Sequence, residues 1–278
     1  MKGFTKKIAS LVLALTLVIG LCTTASAATW DSYFGQNAGW YEGAKGMPAG
    51  VSATGFTARM EQIGWGGVWG CRFYQKINVT KGKAYAISFK AKSSKVNKHI
   101  YVKVGSDSAL AHSFWVKLIK GKTQTVNVIF KAAATTKDEV SFGLGGDYGD
   151  RAPISTDGDA KVRYAVFQKQ YGKSANALMN LEPDSSSATD VQVSNFKLAP
   201  APSKVKFAAK AKGGKKVKVT IKSTGFAKYE VKVGKVTKKT SKTAITVKAK
   251  KKGKQKVQVR GISGSYKTKW ATKKVKVK

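Results

Sequence analysis

Hydrophobic residues recur at every second position in short runs along most of this chain. Tyr85, Ile87, Phe89 and Ala91 alternate with Ala86, Ser88, Lys90 and Lys92, and Ile100, Val102 and Val104 alternate with His99, Tyr101 and Lys103. The same beat returns in Val126, Val128 and Phe130, in Val140, Phe142 and Leu144, and in Val191, Val193, Phe196 and Leu198. Period two sends successive side chains to opposite faces, so each run predicts a strand with one buried face. Residues of turn chemistry bound the runs, and Val79-Thr80-Lys81-Gly82-Lys83 predicts a hairpin-like link before the longest strand. The stretch 145–190 is the exception. It is polar and rich in Gly, Asp and Ser, and is expected to form loops with one or two short strands. The only helical feature expected is a turn within 171–181.

After Ala199-Pro200-Ala201-Pro202-Ser203 the alternation resumes with lysine on the wet side. Val217-Val219-Ile221, Tyr229-Val231-Val233, Ile245-Val247-Ala249, Val257-Val259 and Val275-Val277 mark the strands. Their spacing fits a seven-stranded sandwich of roughly 80–100 residues, and the outward lysines discourage edge-to-edge association. The two prolines are expected to break the chain into modules across a stiff linker at 200–203. The expected fold class is therefore all-β, a larger sandwich over 28–199 followed by a smaller immunoglobulin-like one over 204–278.

Charge sharpens that division. Residues 28–200 carry 22 Lys/Arg and 13 Asp/Glu, whereas residues 201–278 carry 27 Lys/Arg against Glu230 alone. Two modules with different tasks are implied, the second with an affinity for polyanions. At the other end, Lys2, Lys6 and Lys7 precede an apolar run ending at Leu21 and the small residues Ala25-Ser26-Ala27. This is the pattern of a secretory signal peptide over 1–27, too short for a membrane span. No later segment is apolar for long enough to span a membrane, so a secreted, extracellular product is expected, retained at the cell wall if its charge finds a partner. Beyond that leader only Cys71 remains, so packing rather than a disulfide must hold the fold.

The stretch Trp69-Gly70-Cys71-Arg72-Phe73-Tyr74-Gln75, continued by Thr80-Lys81-Gly82-Lys83-Ala84-Tyr85-Ala86-Ile87-Ser88-Phe89-Lys90-Ala91-Lys92, resembles carbohydrate-binding modules of the family 4/9 type. Val140-Ser141-Phe142-Gly143-Leu144-Gly145 and Val191-Gln192-Val193-Ser194-Asn195-Phe196-Lys197-Leu198 are similar to that family's last two strands. The resemblance implies a jelly-roll sandwich that binds glycan chains in a concave cleft without cutting them. The C-terminal module resembles the lysine-rich fibronectin type III-like domains of secreted Gram-positive proteins, through Gly225-Phe226-Ala227-Lys228-Tyr229-Glu230-Val231, Gly253-Lys254-Gln255-Lys256-Val257-Gln258-Val259-Arg260 and Trp270. The family's second-strand tryptophan is missing, where Lys222 or Ser223 stands.

A sugar offers a flat apolar face and a rim of hydroxyls, to be met by an exposed ring and by fixed polar side chains. Ile63-Gly64-Trp65-Gly66-Gly67-Val68-Trp69-Gly70 sets two tryptophans among glycines that leave the indoles uncovered. Trp65, Trp69 and Trp115 are the expected stacking surfaces; Arg72, Tyr74, Gln75 and Tyr101 are the expected hydrogen-bonding groups. Each tryptophan is as readily a core residue, Tyr74 and Tyr101 fit a convex face equally, and Gln75 shares the register of Phe73 and Ile77, which buries it unless a bulge intervenes. Asp31, or the Asp157-Gly158-Asp159 loop, offers hard oxygen ligands for a structural calcium, although a plain solvated turn accounts for these residues too, and no other cofactor is expected. The carboxylates of the first module show no pairing on one strand face of the kind hydrolysis needs. The sequence thus points to a non-catalytic polysaccharide-binding protein whose cationic part meets anionic cell-wall polymers rather than a specific nucleic acid. A small glycan-cleaving enzyme on a jelly roll, and a structural envelope protein, are the alternatives.

Overall fold

The computed structural model describes residues 29–35, 44–62, 68–146, 158–171 and 188–277. The alternating runs become strands that form four antiparallel sheets. In the first half, β1 (Asp31–Phe34), β4 (Cys71–Lys76), β9 (Glu139–Gly143), β6 (Lys98–Val104) and β7 (His112–Leu118) lie side by side in that order. The facing sheet runs β2 (Lys45–Ser52), β3 (Gly55–Gln62), β10 (Thr189–Pro200), β5 (Ala84–Ser93) and β8 (Gln124–Lys131). Apart from the consecutive pairs β2–β3 and β6–β7, neighbours in each sheet come from distant parts of the chain, so inward faces meeting across the sandwich fix most of the strand order.

Those inward faces are aromatic. Phe56 stacks on Phe73 with centroids 4.1 Å apart, and Trp30 meets Phe56, Phe142 and Phe196 edge to face at 5.2–5.5 Å. Such pairs add about 0.5–1.5 kcal/mol each beyond their burial. Cys71 is buried among them, and desolvation pushes its thiol up to about 12 despite nearby Lys98, which leaves it unreactive at neutral pH.

The second half contains β11 (Phe207–Lys212), β12 (Lys216–Ile221) and β15 (Ala244–Lys248) in one sheet. The other sheet contains β14 (Val236–Thr240), β13 (Lys228–Val233) and β16 (Gly253–Ser263), with β17 (Tyr266–Lys267) and β18 (Ala271–Val277) both paired to β16. Eight strands stand where seven were expected. Val217, Val219, Val231, Val233, Val247, Val257 and Val259 are wholly buried between the sheets.

The strand ends at the first of the two prolines: Pro200 is the last residue of β10, opposite Tyr85, and Ala201 N–H donates to Ala84 C=O at 2.9 Å. The N–H groups of alternate residues point to opposite sides, so the one proline lacks faces away from β5, and β3 pairs with β10 only as far as Val193. The polar stretch expected to be loops and short strands contains a helix, α1 (Gly158–Tyr171). Its pattern is blurred because Arg163 points inward, only 5% exposed, whereas Val162 is exposed. Among the described residues no helix is long and apolar enough to cross a membrane.

Candidate functional site

The outward face of the first sheet carries the chemistry. Register places Tyr33, Arg72, Gly143, Tyr101 and Trp115 in one row across its five strands, and Asp31, Tyr74, Ser141, Lys103 and Ser113 in the next. Residues directly opposite in antiparallel strands share a face, so each row is a band of neighbouring side chains. Gly143 occupies the middle of the first row. There the short 3-10 turn Val68–Gly70 settles on the sheet: a Cβ on Gly143 would lie 2.8 Å from the Val68 side chain and 3.2 Å from the Trp69 ring. The missing side chain is what lets Trp69 rest over the strand.

The row divides into an open half and a covered half. In the open half Tyr33 is 41% exposed, and Trp69, Arg72 and Tyr74 are partly exposed. The Arg72 guanidinium lies 4.8 Å from the Tyr74 ring centre and 5.9 Å from that of Tyr33, and one of its Nη atoms is 3.4 Å from Glu139 Oε1. Ser141 Oγ donates to the same carboxylate oxygen. Lys103 Nζ sits 4.5 Å above the Trp69 ring and 2.7 Å from Asp107 Oδ1. Cations held over rings and anchored by carboxylates fix the orientation of the aromatic planes. The result is a platform of the Tyr33, Trp69 and Tyr74 rings with the partly exposed Arg72 guanidinium among them.

The covered half lies under α1. Phe167 is 1% exposed and meets Trp115 at 5.7 Å, and His99 at 5.9 Å between centroids. Trp115 Nε1–H donates to the Arg163 carbonyl at 3.1 Å. Tyr101 and Trp115, expected as ligand contacts, are therefore buried at 0% and 2% exposure, because the helix takes the place a ligand would need. Gln75 is buried for the other reason: it lies on the inner face of β4 in line with Cys71 and Phe73, with no bulge to turn it out. Trp65 and Asp157 fall outside the described residues, as does the side chain of Asp159. Asp31 is exposed on β1, and among the described residues no three acidic, histidine or cysteine side chains gather there or elsewhere.

Of the expected ligand groups, the structure brings Trp69, Arg72 and Tyr74 together. It adds Tyr33, Lys103, Glu139 and Ser141, which sequence reasoning missed. Tyr33 had a signal, since it precedes Phe34, which packs on the core, and adjacent strand residues face opposite ways.

A second concavity of about 1080 Å³ opens between the edges of β7 and β8. It is bounded by α1 and by turns of the second sandwich at Gly225–Ala227 and Ser263–Ser265. There His112 stacks flat on Phe130 at 4.6 Å, and burial, aided by Lys169, lowers its pKa to about 4. Ile129 N–H donates to Gly225 C=O at 3.1 Å while its side chain joins the core of the second sandwich.

No family model matches the sequence, and no curated protein matches it. Solved structures that resemble the chain include a CBM4 carbohydrate-binding module, at 20% identity over 62% of this chain and 86% of that one, with a TM-score of 0.41. Another is the N-terminal cellulose-binding domain of Cellulomonas fimi β-1,4-glucanase C, at 12% identity over 62% and 89%, with a TM-score of 0.36. The adhesin domain of Epf from Streptococcus pyogenes aligns over 90% and 91% at 12% identity and a TM-score of 0.29. Likeness at this level carries nothing about ligand or chemistry.

Proposed function

We propose that this chain is a secreted, non-catalytic polysaccharide-binding protein whose first sandwich holds a glycan on the open half of its outer face. Trp69 lies against a pyranose ring, Tyr33 and Tyr74 extend the apolar surface, and Arg72 offers its remaining N–H donors to hydroxyls. The observation that carries this reading is the row Tyr33–Arg72–Trp69 over Gly143: rings already locked by cations lose little conformational entropy on binding. The helix α1 closes one end of the platform, so the glycan lies along the β1–β4–β9 side and runs outward past Tyr33.

The C-terminal sandwich retains the protein on anionic surface polymers. Its one acidic side chain, Glu230, is already engaged by Arg260, whose Nε and Nη2 lie 2.7 and 2.6 Å from Oε2. The lysines therefore have no carboxylate inside the unit, and their partners must come from outside it.

Affinity electrophoresis of the full chain through xylan, β-glucan, mannan and pectin tests the reading. Retardation by at least one glycan, without release of reducing sugar, is expected. Reducing-sugar release lost on substitution of a single carboxylate favours the enzyme alternative, and no retardation by any glycan favours the structural one.

A further inference from the structure

The lysines of the C-terminal sandwich are not spread evenly; strand register gathers ten of them into two grids. On the β11–β12–β15 sheet, Lys212, Lys216 and Lys248 form one row across three strands, and Lys210 and Lys218 are directly opposed in the next. All five are exposed, because Val217 and Val219 between them take the inward face. On the opposite sheet, Lys254 faces Lys276 and Lys256 faces Lys274 across β16 and β18. Lys232 lies on the same outer face, one strand over, opposite Gln258. These two sheets pack through the valine core, so the grids point away from each other.

Directly opposed like charges on a sheet are destabilising, and each grid repeats that arrangement. The side chains lie about 5 Å apart across strands and roughly 6.7 Å apart along them. A solvated face needs scattered charge, not opposed lysine pairs; the one acid near the second grid, Glu230 beside Lys232, is held by Arg260. A linear polyanion laid over either grid relieves the repulsion and releases counterions. The first grid's remaining outward residues are Ala208, Thr220, Ala244 and Thr246, with no ring for a base to stack on. Trp270, just before β18, is taken up by the Arg260 guanidinium 4.5 Å from its ring centre. The fit is to a polymer of backbone phosphates without bases.

We propose that the C-terminal sandwich is a two-sided bridge, each lysine grid holding a separate linear phosphate polymer, so that one chain cross-links two strands of it. This rests on the reading of the unit as the part retained on anionic polymers, and adds that its valence is two.

The test uses the full chain with linear polyphosphate labelled in two batches, one with a donor dye and one with an acceptor. Energy transfer between batches and light scattering are expected at intermediate protein-to-polymer ratios, both vanishing at protein excess. K210Q/K212Q/K216Q/K218Q/K248Q and K232Q/K254Q/K256Q/K274Q/K276Q are each expected to bind polyphosphate but give no transfer. Each should halve the number of polyphosphate strands bound per chain and leave the remaining event with a logarithmic salt slope of roughly 3.5, about 0.7 for each of five contacts, with an unchanged circular dichroism spectrum. The tenfold variant should lose binding. If the full chain binds without bridging, the two-sided inference fails while retention stands; if it does not bind at all, both fail. If either single-grid variant still bridges, the bridging comes from self-association or scattered charge, and the inference is overturned. Tighter binding of single-stranded DNA than of polyphosphate by the full chain would overturn the choice of polymer.

Discussion

The side-chain amide of Gln170 pairs in both directions with the backbone of Trp115, accepting from its N–H at 2.7 Å and donating to its C=O at 3.1 Å. A strand neighbour would make the same two bonds, and among the described residues β7 has none on that side. The helix thus completes a sheet edge with one side chain, and in doing so it keeps Phe167 over Trp115 and Tyr101. Gln170→Ala removes both bonds at once. A loss of about 1–3 kcal/mol in the local stability of α1 is expected, seen as faster iodide quenching of tryptophan fluorescence and faster proteolysis within the helix. Quenching identical to the parent would show that the amide is not what holds the helix.

His112 makes stability depend on mildly acidic pH. Burial and Lys169 lower its pKa to about 4 from an ordinary 6.5, so the unfolded chain binds a proton that the folded chain refuses. The contribution is fully present above about pH 6.5 and is lost as pH falls through the window from 6.5 to 4. The urea midpoint should fall across that window, and His112→Phe, which keeps the flat contact with Phe130, should flatten the fall. An equal slope in the variant would remove His112 as its cause.

Ile129 ties the two sandwiches together, with its backbone on Gly225 and its side chain in the far core. Ile129→Ala should cost about 2–5 kcal/mol and split thermal unfolding into two calorimetric transitions. A single transition at an unchanged temperature would mean the units are coupled elsewhere.

Alternation alone disclosed most of the fold. Ile87, Phe89 and Ala91, or Val217 and Val219, could hardly face anywhere but inward. It also told correctly which side of its strand Tyr101 takes, but a strand pattern says nothing of what covers that side. The cover was hidden because α1 sets Arg163 inward and Val162 outward, and because Gln170 works through its backbone partner rather than through apolar contact. Gln75 was readable in the register of Phe73. The role of Gly143 was not, since only the folded structure shows the 3-10 turn of Trp69 lying on it.

The open platform is the centre of this account, and calorimetric titration of the best-retarded glycan into the full chain, Trp69→Ala and Phe167→Ala tests it most directly. Trp69→Ala should weaken binding by tenfold or more, the loss of about 1.4 kcal/mol or greater, with the far-ultraviolet spectrum unchanged. Phe167→Ala, whose ring meets Trp115, His99 and Tyr171 in the covered half, should leave affinity within about threefold, or about 0.7 kcal/mol. Full affinity in Trp69→Ala, or binding lost in Phe167→Ala alone, would contradict the assignment of the site to the Tyr33–Trp69 side of the sheet.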